Sequence, residues 1–372
     1  MMEGSIIRYF PGGNTPGGYL SLFDQVIPWT DAKKIMIIKG GPGVGKSTFM
    51  KKIAKDLLKQ GFNLELLHCS ADNGSIDGLL ITDLDIALLD GTAPHMMDPR
   101  YPGCVDEIIN LGSYWNEEGI RQNREHIMGL QNEISGCYKR AYNYLKMAQI
   151  VLGDLKQVYN NAVDVHRLND MVDEILDKTF DGVSKKNKKS RQRNMFASAI
   201  THDGPVHYLD SLFWNVQKRF IVTGFPGTGK SILMKRIVDN AVLKGLDVDV
   251  FHCPMEPEKI EHIIIKDLSI GFVTSVKPHA LARMRDKDEL FDFNATLVSS
   301  KINGYEEVIN YDNSVFWDLF NRAVKYLGHA KKLHDELERY YVVNMDFKKI
   351  DETRELTLSR ILKYAYTASY SK

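Results

Sequence analysis

Two octapeptides in this chain have the residue types and spacing that hold a phosphate group. They are Gly40-Gly41-Pro42-Gly43-Val44-Gly45-Lys46-Ser47 and Gly224-Phe225-Pro226-Gly227-Thr228-Gly229-Lys230-Ser231, and both fit G-x-x-x-x-G-K-[ST]. Glycines let successive backbone N–H groups converge on an anion, and a helix opening at the lysine adds the positive end of its dipole. Lys46 and Lys230 would reach the β- and γ-phosphates of a nucleoside triphosphate. The Ser47 and Ser231 hydroxyls would ligate Mg²⁺, with Thr48 and Ile232 completing each binding stretch.

A magnesium site also needs an acid. Asp90 closes the apolar run Ile86-Ala-Leu-Leu89, where a Walker-B carboxylate belongs, so it is assigned as catalytic and metal-holding. Gly91 follows it, so the glutamate that activates water in many ATPases is missing. His95 is the candidate γ-phosphate sensor or water-orienting group; a structural histidine, repeated at His279, is the competing account. In the second copy Thr274 aligns with Asp90. The first site is therefore expected to be the competent one, and Asp267, like its counterpart Asp83, is a compensating acid only if folding brings it close.

These loops need a strand before them and a helix after them. Ile35-Met-Ile-Ile38 and Phe220-Ile-Val-Thr223 supply the strands, and the run from Ser47 to Leu58 supplies the first helix. The first glycines lie 224 − 40 = 184 residues apart, and that shift aligns residues 36–95 without a gap, placing His68-Cys69 on His252-Cys253 and Pro94-His95 on Pro278-His279. The chain is a tandem duplication. Leu64-Glu-Leu-Leu67 and Ile86–Leu89 read as further strands and Ser75-Ile-Asp-Gly-Leu-Leu as a short capped helical turn. Each half is then α/β, with a parallel sheet covered by helices on both faces. Two phrases that share the spacing of a Phe, a Thr and a Gly, Phe10–Gly18 and Phe196–Gly204, read as ordered loops leading into each half.

From Glu117 apolar residues recur at spacings of three and four (Ile127, Leu130, Ile134, Cys137, Ala141, Tyr144), a coiled-coil-like stripe repeated at a shift of 182. It predicts a long helix, a turn near His166 and a shorter returning helix. Two tandem P-loop NTPase domains are expected: 1–183 (core 1–116, hairpin 117–183) and 194–372 (core 194–311, hairpin 312–372). Between them lies the basic linker 184–193, Ser-Lys-Lys-Asn-Lys-Lys-Ser-Arg-Gln-Arg.

Composition narrows the partners. The 372 residues are 44% hydrophobic, and 48 basic residues balance 48 acidic ones, so no global field favours nucleic acid or an anionic membrane. The basic run has no aromatic residues interleaved for base stacking. Four cysteines without C-x-x-C pairing suit a reducing compartment. Neither a signal-peptide pattern nor an apolar run near ~18 residues is present. A cytoplasmic protein without a membrane partner is expected, with its hairpins free to dock a protein partner.

With its paired loops, His-Cys strand ends, Asp90-Gly-Thr-Ala-Pro-His95 phrase and repeated hairpin, the chain resembles a bacterial family of duplicated P-loop ATP-binding proteins, known as predicted ATPases or nucleotide-kinase-like proteins. The resemblance runs nearly end to end and implies ATP and Mg²⁺ as ligands; Thr274 departs from the pattern. ATP is also favoured by elimination, since no Asn-Lys-x-Asp string reads guanine. Three readings stand: an ATPase acting as a nucleotide-driven switch; a kinase of a nucleotide or small molecule, for which Arg121, Arg124, Arg140, Arg283 and Arg285 are available; and a non-hydrolysing ATP-binding scaffold.

Overall fold

The computed structural model describes residues 3–369 except residue 283, so Arg283 lies outside the described residues. In chain order the first half contains β1 (Ile6–Tyr9), β2 (Gly12–Thr15), β3 (Gly18–Ser21), β4 (Lys34–Lys39), α1 (Lys46–Lys59), β5 (Leu64–His68), β6 (Ile76–Ile81), β7 (Ile86–Asp90) and β8 (Asp106–Asn110). Helices α2 (Glu117–Arg121), α3 (Arg124–Ala162) and α4 (Val165–Phe180) follow. The order then repeats through β9 (Gln192–Met195), β10 (Ser198–Thr201), β11 (Gly204–His207), the short α5 (Leu209–Leu212), β12 (Lys218–Thr223), α6 (Lys230–Leu243), β13 (Val248–Cys253), β14 (Glu256–Ile265), β15 (Ile270–Thr274), β16 (Glu289–Asp292), α7 (Glu306–Val342) and α8 (Phe347–Ser369). Both lead-ins, expected as ordered loops, form two-stranded sheets, β2–β3 and β10–β11. No described helix is long and apolar enough to cross a membrane.

The fold is α/β, built on two mixed sheets ordered β1-β5-β6-β7-β4-β8 and β16-β12-β15-β14-β13-β9. Strands β6 and β14 run against both neighbours; the remaining pairings are parallel. This corrects the all-parallel expectation, and with it the helical turn expected at Ser75 to Leu80, which is strand β6. Asp77-Gly78 is a turn signal when read locally. Here Gly78 instead lies between two strands so closely that a Cβ would stand 2.9 Å from Leu89 and 3.3 Å from Leu67. Alternate residues of β4 are buried on both faces, Met36 and Ile38 on one, Ile35 and Ile37 on the other.

The chain divides into compact units that cut across its sequence halves. One comprises Met1–Gly13, Tyr19–Lys139 and Tyr326–Lys372; the other comprises Asn14–Gly18 and Arg140–Lys325. The divisions at Lys139/Arg140 and Lys325/Tyr326 fall inside α3 and α7, so the expected boundaries at 183 and 194 are not where the units part. In the first unit Ile350 and Ile361 of α8 join Met50, Ile53 and Leu57 of α1 in one core. In the second, Leu168, Val172 and Ile175 of α4 join Leu233, Met234 and Ile237 of α6. Each hairpin therefore caps the core of the other sequence half. The heptad stripe marks which face is buried but carries no information about what it is buried against.

Nor is the basic run a free linker. Lys186 pairs with Asp267 at 2.6 Å and Lys188 with Asp247 at 2.7 Å. Arg193, already in β9, grips the buried Asp249 with two 2.8 Å hydrogen bonds from Nε and Nη2. Burial pushes the Asp249 carboxyl up, but Arg193 and Lys266 outweigh it and hold the group well below its usual range. A depressed folded-state value stabilises the fold above the unfolded carboxylate range, near pH ~4, and that contribution is lost as pH falls below it. Asp249→Asn should cost on the order of 3–5 kcal/mol at pH 7, with the gap to the parent protein narrowing below pH ~4. Denaturant midpoints across that range check this.

The exchanged hairpins make a second prediction. Ile361→Ala and Ile175→Ala each open a core cavity worth about 2–5 kcal/mol. The first should speed amide exchange in α1 and leave α6 unchanged; the second should do the reverse. Hydrogen-exchange mass spectrometry reads both, and a hairpin packed on its own half's core would invert the pattern.

Candidate functional site

Strand β4 delivers the chain into the first loop at Gly40, and α1 begins at Lys46. Gly43 (φ +69°) and Gly45 (φ +86°) hold left-handed backbone that L side chains rarely adopt. Their counterparts Gly227 (φ +85°) and Gly229 (φ +93°) do the same. Alternation of this kind turns consecutive N–H groups toward one concavity, to which a helix N-terminus adds its unpaired first-turn donors. The Lys46 ammonium lies across the loop, donating to the carbonyls of Gly40 (2.8 Å) and Gly41 (3.2 Å).

Asp90 sits beside that lysine. Register pairs it with Ile38 of β4, and its Oδ2 lies 3.5 Å from Lys46 Nζ. Its Oδ1 accepts from the Thr92 backbone N–H (2.8 Å) and hydroxyl (2.6 Å). His95 lies under the same carboxylate, Nε2 3.8 Å from Oδ2, with its ring stacked on Phe23 at 4.6 Å and Nδ1 3.4 Å from the Tyr19 hydroxyl. That Nε2 is buried and has no hydrogen-bond partner among the described residues.

A third group was not legible locally. Asp77, on the reversed strand β6, brings a carboxylate oxygen within 4.8 Å of the ligand atoms of Asp90 and His95. Burial pushes Asp77 up to about 6, against the pull of His95. Burial also works against charge on Asp90 and His95. Their mutual contact, helped by Lys46 on one and Asp77 on the other, nevertheless lowers Asp90 and raises His95. The signal that could have found Asp77 is the duplication itself, since 77 + 184 = 261 places it on Glu261.

Magnesium takes hard oxygen donors, few of them from protein. Asp90 Oδ2 faces the loop, and the Ser47 hydroxyl, which accepts the Ile76 N–H at 3.0 Å, retains a second lone pair. The residues fit the ion.

In this first unit the loop is covered. Gly43 donates its N–H to Glu338 Oε1 of α7 at 3.3 Å. A Cβ on Gly43 would stand 2.9 Å from the Glu338 carbonyl, and one on Gly41 3.1 Å from the Tyr341 ring. A carboxylate thus occupies an amide that the motif reserves for phosphate.

The second loop repeats the scheme with different chemistry. Lys230 donates to the carbonyls of Gly224 and Phe225, both at 2.6 Å, and burial, with Lys259 and Lys156 nearby, lowers it to about 7. Thr274 closes β15 and gives its N–H to His262 Nδ1 at 3.1 Å. An acid is nonetheless present, contrary to expectation. Glu261 of β14 lies 2.9 Å from His279 and, despite its burial, is held below its usual range by His279. Asp267 does not compensate: it precedes β15, at the end opposite Thr274, tied to Lys186 and Lys188. Arg285 is structural, donating to the Val216 carbonyl at 2.7 Å. Here α3 is the cover, with Tyr159 stacked on Phe225 at 4.7 Å.

No family model, curated protein or solved structure matches the chain.

The covering contacts are testable in the second unit. A Cβ on Gly227 would lie 2.3 Å from the Lys156 carbonyl, whereas Gly182, also left-handed (φ +69°), has nothing within 4 Å. Gly182→Ala should show backbone strain alone, about 1–2 kcal/mol. Gly227→Ala should lose clearly more and raise amide exchange over residues 153–162. Equal losses would mean that α3 does not rest on the loop.

Proposed function

We propose that both glycine-rich loops bind a nucleoside triphosphate, making the chain a tandem P-loop NTPase, and that the first loop binds ATP with Mg²⁺ and hydrolyses it. The observation that carries this reading is the repeated loop backbone. In two separate units the same motif positions are left-handed, the same lysine bridges the loop carbonyls, and a helix starts at the same residue. Crevices at the carboxyl ends of strands are where such sheets bind ligands. The resemblance to duplicated bacterial ATP-binding proteins points the same way, and favours a cytoplasmic protein.

At the first loop Lys46 would leave its carbonyls for the β- and γ-phosphates, while Ser47 and Asp90 hold the ion. Bound Mg²⁺ supplies charge neutralisation on the phosphate oxygens. Asp77 and His95, beside Asp90, would orient water in the absence of a glutamate after Asp90. Phosphate must displace Glu338 from the Gly43 N–H, and this links nucleotide to α7. That link supports a switch whose helices, α7 and α8, report occupancy to a protein partner.

Turnover and binding of a fluorescent ATP analogue test the reading. Lys46→Ala should lower turnover by about 10²-fold or more, while Lys230→Ala mainly changes affinity. Glu338→Ala should raise first-site affinity roughly tenfold by removing a charged competitor. Equal loss of turnover from the two lysine variants would contradict the division of labour, and an absence of binding by the parent protein would overturn the reading itself.

A further inference from the structure

The two loops differ most in the charges that face them. At the duplication shift, Asp90 becomes Thr274 and Ser75 becomes Lys259. At the hairpin shift of 182, Glu338 corresponds to Lys156. All three exchanges make the second loop's surroundings more positive. The first lysine lies 3.5 Å from Asp90 and interacts with Asp77, while Glu338 reaches the loop at the Gly43 N–H. The second is joined by Lys156 and Lys259 around a pocket of about 350 Å³, whose lining includes Gln157, Asn160 and Ser231. Acids stand nearby as well: Lys156 contacts Glu256, Glu261 is paired with His279 and with Glu256 favours the charge on Lys259 despite its burial, and Asp292 takes the Thr223 hydroxyl at 3.2 Å.

Three lysine side chains lining one cavity disfavour one another's charge, Lys230 most because it is also buried, and repel any divalent cation that enters. A polyanion relieves that repulsion, and one already chelated to metal relieves it less. Resting on the reading of this loop as a phosphate cradle, we propose that the second site takes its polyphosphate ligand free of metal, with Lys156 and Lys259 supplying the charge that Mg²⁺ supplies at the first. Ser231, at the position of Ser47, then serves as a hydrogen-bonding group to phosphate rather than as a metal ligand. The ligand class is a fully ionised tri- or diphosphate; Lys259 is the residue that sets the metal requirement, and Lys156 links occupancy to α3.

The test is calorimetric titration of the full-length Lys46→Ala protein with ATP and with inorganic tripolyphosphate, each in EDTA and in excess Mg²⁺. The expected result is one equivalent of binding in EDTA, at least as tight as in Mg²⁺. Lys259→Ser, which restores the residue of the first half, should weaken EDTA binding tenfold or more, and Lys259→Arg should retain it. Because Lys259 is partly buried, thermal melts of both variants confirm folding, and the EDTA-to-Mg²⁺ comparison without either variant stands by itself. Binding of ATP that appears only with Mg²⁺, or a Lys259→Ser affinity within twofold of its parent in EDTA, overturns the proposal and leaves the nucleotide reading intact. Tripolyphosphate binding in EDTA without any ATP binding supports the proposal and removes the nucleotide reading. Silence of both ligands removes both.

Discussion

A lysine drawn in from solvent needs partners, and in both loops it finds them in two backbone carbonyls of its own loop, Gly40 and Gly41 or Gly224 and Phe225. That arrangement constrains the rest. The lysine can fold back over Gly40 or Gly224 only because the backbone between turns left-handed at Gly43 and Gly45, or at Gly227 and Gly229. The loop keeps that shape because β4 or β12 anchors one end in a sheet and α1 or α6 anchors the other. Those helices are held in turn by the apolar faces of α8 and α4. Everything from sheet order to hairpin exchange therefore bears on where two cations sit.

The covering helices make the hairpins part of the sites. Glu338 and Lys156 stand at equivalent places on α7 and α3 with opposite charge. One lends a carboxylate to a loop amide; the other adds an ammonium to the pocket. A duplicated chain has in this way produced two electrostatically unlike sites from one backbone plan. The difference extends beneath the loops, where one unit groups Asp77, Asp90 and His95 and the other groups Glu261, His262 and His279.

What could be read from the residues was whatever is local or repeated. The loops were legible because glycine and lysine at fixed spacing admit few other backbones. Asp90 was legible because it ends an apolar run, and the lengths of α3 and α4 followed from the heptad stripe and the turn near His166. Strand β6 was not legible: Ser-Ile-Asp-Gly carries local turn chemistry, and pairing with β5 and β7 overrides it. Asp77 and Glu261 lie on strands that local turn chemistry hides, so Thr274 alone makes the second site look bare of an acid. Hairpin exchange was hidden for a different reason, because amphipathic periodicity specifies a buried face and not its partner. The charge of the basic run does not reveal its partners, because Asp247, Asp249 and Asp267, which neutralise it, are distant in sequence.

The central claim is that the two loops are phosphate cradles of opposite electrostatic character, and a crystal soaked with a non-hydrolysable ATP analogue and Mn²⁺ tests it most directly. The account predicts polyphosphate density in both loops, with an anomalous manganese peak beside Ser47 and Asp90 and none beside Ser231. Manganese of equal strength at both loops, or loops that hold no phosphate at all, would contradict it.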